Sequence, residues 1–174
     1  MKIINAIALA SALAIASGRA DAAAPWLHVR QTVDIQAPAG KVWDTVKNFD
    51  QLNTWLPPLV KDEIVEGQNN TVGAVRLLTL KDGGTVKEKL LAYTPAARTF
   101  RYEILESVLP VSHYTSVVTV KSAGKGKSTV TWSGRFKRKN EGPSPADNEN
   151  DKAATDTITG VYQAGLSNLK KMLE

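Results

Sequence analysis

Between residues 59 and 137 the chain is punctuated so often that its strands have one way to pair. Six strand-like runs succeed one another, at 59–66, 72–80, 85–93, 99–105, 111–122 and 128–137. Turn residues separate most of them: Gln68-Asn69-Asn70, Asp82-Gly83-Gly84, Thr94-Pro95-Ala96-Ala97 and Gly124-Lys125-Gly126. Consecutive strands joined by so few residues pair antiparallel, because a parallel crossover needs a dozen residues or more. A further strand precedes them. Residues 26–36 alternate, with Leu27, Val29, Gln31, Val33 and Ile35 on one side.

Helical patterns flank the strands. After Pro38, well placed at a helix start, the residues Val42, Trp43, Val46 and Phe49 form an apolar stripe at helical spacing. A second short helix follows and Pro57-Pro58 ends it. Residues 141–150 form a polar loop. From Asp151 onward Ala154, Ile158, Val161, Gly165, Leu169 and Met172 or Leu173 share one helix face. The expected fold is α+β. A curved, seven-stranded antiparallel sheet wraps a long C-terminal helix, and two short helices lie between strands 1 and 2.

The first residues read as a leader. Lys2 supplies a positive start, residues 3–16 are apolar apart from Asn5 and Ser11, and Ala20-Asp21-Ala22 is a small-x-small cleavage site. That is the pattern of a secretory signal peptide over residues 1–22, and it implies export to a periplasm. The apolar run is shorter than the roughly 20 residues that span a bilayer, so no membrane span is expected. Residues 25–174 then form a single domain. With no cysteine in the chain, packing alone holds that domain together, and neither thiolate metal binding nor a cysteine nucleophile is available. The formal charge is +5, or +4 without the leader. So mild an excess suits an acidic protein partner, and it is too small and scattered for nucleic acid.

Glu88 is the most informative polar residue. It shares a strand face with Val86, Leu90 and Ala92, and a carboxylate on an apolar face must be paired or protonated. Arg76 shares a face with Ala74, Leu78 and Leu80 on the preceding strand. A three-residue turn over Lys81-Asp82-Gly83, with Gly83 left-handed, sets Arg76 opposite Glu88. The alternative is a register one residue off, which turns Arg76 outward and leaves Glu88 at the sheet edge.

The order of elements, with Pro38…Val42-Trp43…Phe49, Gly73-Ala74-Val75-Arg76, residues 86–90 (Val-Lys-Glu-Lys-Leu) and residues 114–120 (Tyr-Thr-Ser-Val-Val-Thr-Val), resembles the START-like, or SRPBCC, superfamily. That group includes birch-pollen-type allergens, polyketide cyclases and dehydratases, lipid-transfer domains and plant hormone receptors. With a leader on so short a chain, the sequence looks most like the MxaD-type periplasmic proteins, accessory factors of bacterial methanol oxidation. The resemblance implies a helix-grip cavity for a small apolar or amphipathic ligand. Glu88 then stands where the hormone receptors use a polar residue to anchor ligand, although Lys81-Asp82-Gly83-Gly84 is shorter than their gating loop.

The expected lining is Trp55, Lys61, Arg76, Leu78, Glu88, Leu90, Tyr102, Ile104, Leu109, Tyr114, Ser116, Trp132, Val161 and Gly165. Residues 55–58 are expected at the rim. The alternative is that the aromatic rings fill the interior. Arg135, Lys137, Arg138 and Lys139 form a basic run that either is a solvated edge or docks an acidic periplasmic partner of the dehydrogenase or cytochrome type. Alternation sends His113 to the outer face, and His28 has no visible partner.

No nucleophile–base pair, metal cluster, phosphate-cradling loop or dinucleotide fingerprint is visible, so no catalytic residue and no cofactor is expected. The function implied is a non-catalytic binding protein. One alternative is a cyclase-like enzyme that uses Arg76, Glu88, Tyr102 or Tyr114, and another is a lipid carrier.

Overall fold

Each turn between residues 59 and 137 joins neighbouring strands. The computed structural model describes residues 23–174, and the leader expected over residues 1–22 lies outside them. The elements are β1 (Leu27–Ile35), α1 (Ala39–Val46), a 3-10 turn (Leu52–Thr54), β2 (Leu59–Glu66), β3 (Val75–Leu80), β4 (Thr85–Thr94), β5 (Thr99–Ser107), β6 (Val111–Ser122), β7 (Ser128–Arg138) and α2 (Asp151–Leu173). The strands form one sheet in the order β1-β7-β6-β5-β4-β3-β2, antiparallel throughout. β1 and β2 are therefore its two edges, and α1 with the 3-10 turn connects one edge to the other.

The β3–β4 turn sets the register as its chemistry requires. Leu80 N donates to Gly84 O at 2.8 Å, Gly83 has φ +87°, and Arg76 pairs with Glu88 across the ladder. β3 begins at Val75 and not at the expected Val72. Asn70 and Gly73 sit at φ +59° and +95°, and Ala74 N bonds back to Thr71 O, so the chain is still turning there. Asn70 has a second task, since its Oδ1 accepts from Phe49 N at 2.9 Å and pins the stretch after α1 to this turn.

The concave face holds the core. α1 buries Ala39, Val42, Trp43 and Val46 against it, and α2 buries Ala154, Ile158, Tyr162, Gly165, Leu166 and Leu169. Burying one large apolar side chain stabilises by about 1.5–3 kcal/mol, so these two stripes are what hold the helices. The Asn150 side chain caps α2 by accepting from Ala153 N at 2.9 Å. Val161 is half-buried, and the neighbouring Tyr162 turns fully inward. Two glycines allow the close approach of helix and sheet. A Cβ on Gly165 would lie 2.9 Å from the Trp132 ring and 3.1 Å from Trp55 and Leu56, and one on Gly134 would strike the Tyr162 hydroxyl.

Candidate functional site

Between the sheet and α2 lies a narrow internal cavity of about 50 Å³. Its wall is aliphatic on most sides: Leu52, Leu56, Pro58 and Leu59 from the segment before β2, Leu78 and Leu80 from β3, Val86 from β4, and Ile158 and Val161 from α2. Ile104, Leu109 and the rings of Tyr102, Tyr114 and Trp132 close it, and Glu88 supplies the one carboxylate.

Glu88 belongs to a buried ionic cluster. Its Oε2 accepts from Arg76 Nε at 2.8 Å and lies 2.6 Å from Arg76 Nη2. Arg76 Nη1 donates to Phe49 O and faces Asp62 Oδ2 at 3.4 Å, and the guanidinium stacks 4.0 Å over the Phe49 ring. Asp62 Oδ2 also accepts from Leu52 N at 2.8 Å, while Asp62 Oδ1 is buried and unpaired among the described residues. Burial raises the Glu88 carboxyl against the pull of Arg76, and burial raises Asp62 to about 6. One guanidinium thus serves two carboxylates and a carbonyl, leaving no net positive charge to attract an anion.

Behind the cavity wall runs a closed network of aromatic hydroxyls. Trp132 Nε1 donates to Tyr102 Oη and Ser116 Oγ, each at 3.0 Å. Tyr162 Oη lies 2.9 Å from Ser116 Oγ and 2.5 Å from Tyr114 Oη. Burial pushes Tyr102 up to about 12, and Tyr114 and Tyr162 well above the usual tyrosine range. These phenols stay protonated near neutral pH; Tyr114 and Tyr162 are bonded to each other, and Tyr102 accepts from Trp132.

The structure sorts the expected lining residues into three groups. Leu78, Glu88, Tyr102, Ile104, Leu109, Tyr114, Trp132 and Val161 face the cavity, with Leu56 and Pro58 from the expected rim. Arg76, Leu90, Ser116, Trp55 and Gly165 are packed behind the wall. Arg76 holds Glu88, Ser116 joins the hydroxyl network, and Trp55 lies 5.2 Å from Trp132 over the space that Gly165 leaves open. Lys61 is outside altogether, exposed and paired with Glu63 at 2.7 Å. The reason is a bulge between Leu59 and Lys61, which turns Lys61 out and Asp62 and Ile64 inward.

The basic run divides as well. Arg138 points inward, buried, and donates to Asp151 Oδ1 at 2.6 Å and to the carbonyls of Asn140 and Gly142; it is a structural tie and not a docking cation. Lys137 binds Glu141 at 2.7 Å, Lys139 donates to Ser107 O, and Arg135 stacks 3.5 Å above the exposed Trp26 ring. His113 lies on the outer face, 3.0 Å from Glu141. The wall also takes Leu52, Leu59, Leu80, Val86 and Ile158, which were not among the expected lining, and two polar residues that shape the site were missed as well. Tyr162 follows Ile158 by four positions, a signal that was available, whereas Asp62 was hidden within Lys61-Asp62-Glu63 by the bulge.

Comparison with known proteins accords with this geometry. The family described as polyketide cyclase / dehydrase and lipid transport matches residues 27–174. Among solved structures, XoxI from Bacillus cereus is 28% identical with a TM-score of 0.74, over 84% of this chain and 94% of that one. The ZhuI aromatase/cyclase from a Streptomyces species is 20% identical with a TM-score of 0.67, covering 86% and 94%. Ara h 8.0201 is 20% identical with a TM-score of 0.66, covering 86% and 98%. These last two show the fold alone. A search of curated proteins finds no match. None of the described helices is long and apolar enough to cross a membrane. Sheet, helix and cavity together with the match over residues 27–174 make this chain a member of the polyketide cyclase / dehydrase and lipid transport family of the SRPBCC superfamily.

Proposed function

We propose that this chain is an exported, non-catalytic helix-grip protein that holds a small apolar molecule bearing a hydrogen-bond donor, in the manner of the MxaD-type periplasmic proteins. One observation carries the reading. Glu88 Oε2 takes both Arg76 contacts, while Oε1 accepts no hydrogen bond from a described residue and belongs to an otherwise apolar wall. A hydroxyl or amine on the ligand satisfies that oxygen, and a ligand carboxylate meets like charge. The tyrosine hydroxyls, engaged with one another and with Trp132, support binding over acid–base chemistry.

The cavity is small for a ligand. A dry cavity that holds benzene has about 150 Å³, so entry requires the half-buried Leu80, Leu109 and Val161 at its edge to part. Tryptophan fluorescence titrated with straight-chain alcohols, amines and carboxylic acids of equal length tests the reading. Alcohols and amines should bind saturably at neutral pH, the acids at least about tenfold more weakly, and Glu88→Gln should remove the discrimination. Equal binding of the acids to the unaltered protein would overturn it. Export is tested separately, by recovery of the chain without residues 1–22 from a periplasmic fraction.

A further inference from the structure

The convex face of the sheet gathers cations that are far apart in the sequence. Register places Arg30 of β1 beside Ser133 of β7, Ser133 beside Val117 of β6, and Val117 beside Arg101 of β5. Two residue pairs along, on the same face, His28 stands beside Arg135. These residues line a shallow open groove of about 460 Å³ whose floor carries the hydroxyls of Ser133 and Thr115. Arg30, Arg101 and Arg135 are exposed, and none forms an ion pair with a described residue. The nearby carboxylates are either occupied or set to one side. Asp34 accepts from Thr129 and Glu141 holds Lys137, while Glu103 ends the row of Thr115, Arg135 and His28 at the β5 side of the groove and forms no ion pair with a described residue.

We propose that this groove docks an acidic segment of a partner protein, with Arg30, Arg135 and Arg101 each receiving a carboxylate. Three inter-strand steps set Arg30 and Arg101 about 14 Å apart at the backbone, a span suited to successive carboxylates on one segment and too wide for a single small anion. Planar guanidinium forks bind carboxylates bidentately, and unpaired arginines are the residues best suited to it. The chemistry fits other anions less well. Trp26, the exposed ring nearby, is already covered by Arg135, so no stacking platform is offered to single-stranded nucleic acid. The groove's apolar side chains, Val29 and Val117, are buried and half-buried, so nothing inserts into a lipid surface. The groove is on the sheet face opposite the cavity, and the two readings fail independently.

The test is an amide-resolved NMR titration of the protein with a glutamate-rich peptide at ionic strengths of about 0.01 M and about 1 M. Shifts should be confined to residues 28–30, 101, 115–117 and 133–135, and should vanish at the higher salt. Arg30→Glu with Arg101→Glu should weaken binding at least about tenfold. Lys125→Glu with Lys127→Glu changes the charge equally at a distant, exposed turn and should leave binding within about twofold. No shifts in the groove, or equal weakening by both double variants, would overturn the proposal. So would tighter binding at the groove by a single-stranded oligonucleotide or by phosphatidylglycerol vesicles than by the peptide.

Discussion

Asp62 is the least comfortable charge in the molecule. Its side chain has no exposed surface, Oδ1 has no described partner, and Arg76, which faces Oδ2 at 3.4 Å, is already committed to Glu88. Burial therefore raises its folded-state pKa to about 6 from 3.8. A carboxyl whose pKa is raised binds its proton more tightly when folded, so folding gains stability as pH falls through 6 towards 4 and loses it as pH rises again. Two units correspond to roughly 2–3 kcal/mol, and Glu88, also raised by burial, adds in the same direction. Urea unfolding of the unaltered protein and of Asp62→Asn at pH 5 and pH 8 isolates the effect. The variant should gain relative stability at pH 8 and lose that advantage at pH 5, and a difference that stays constant with pH would refute the assignment.

Elements that depend on local chemistry were legible in the sequence, and those that depend on a neighbour were not. The Lys81-Asp82-Gly83 turn carried the register, and with it the Arg76–Glu88 pair, because turn length and the left-handed glycine determine which residues meet. The bulge in β2 has no such signature; one extra residue there exchanged Lys61 for Asp62 on the inner face. Arg138 looked like part of a surface run because alternation alone does not reveal that Asp151 waits for it at the start of α2. Gly165 is the instructive intermediate, correctly placed on the inner stripe but serving as clearance for two tryptophans and not as cavity wall. Helix propensity alone favours alanine there by about 1 kcal/mol. The added methyl would press on Trp132, Trp55 and Leu56, which are themselves packed, so Gly165→Ala should destabilise by about 1–3 kcal/mol. Gly160, in the same helix with nothing within 4 Å of its missing Cβ, provides the comparison. Gly160→Ala should raise the thermal midpoint while Gly165→Ala lowers it, and shifts of the same sign would show that propensity and not packing governs this helix.

The two edges of the sheet are consecutive in the chain, so the connection between them must be held against the rest of the molecule. The end of α2 does this at three points. Lys170 Nζ donates to Asp34 O at 2.8 Å, Glu174 Oε1 accepts from Gln36 N at 2.8 Å, and Asn168 Nδ2 donates to Trp55 O at 3.1 Å. The first two clip the end of β1, and the third clips the segment that supplies Leu52, Leu56, Pro58 and Leu59 to the cavity. Inside, the same segment is tied to the ionic cluster through Leu52 N and Asp62. Cavity wall, helix end and buried charges are thus one mechanical unit, while the β1-β7-β6 ladder is held by its own hydrogen bonds. Removing the outer clip should expose that division. Asn168→Ala should cost about 1 kcal/mol and speed hydrogen exchange at Leu52 and Leu56, whose amides are held by Asp62 and by Leu52 O. Amides of β6 and β7 should keep their protection, since sub-global openings release the weakly tied segment first. Faster exchange in both regions together would mean that the cavity segment has no freedom separate from the sheet.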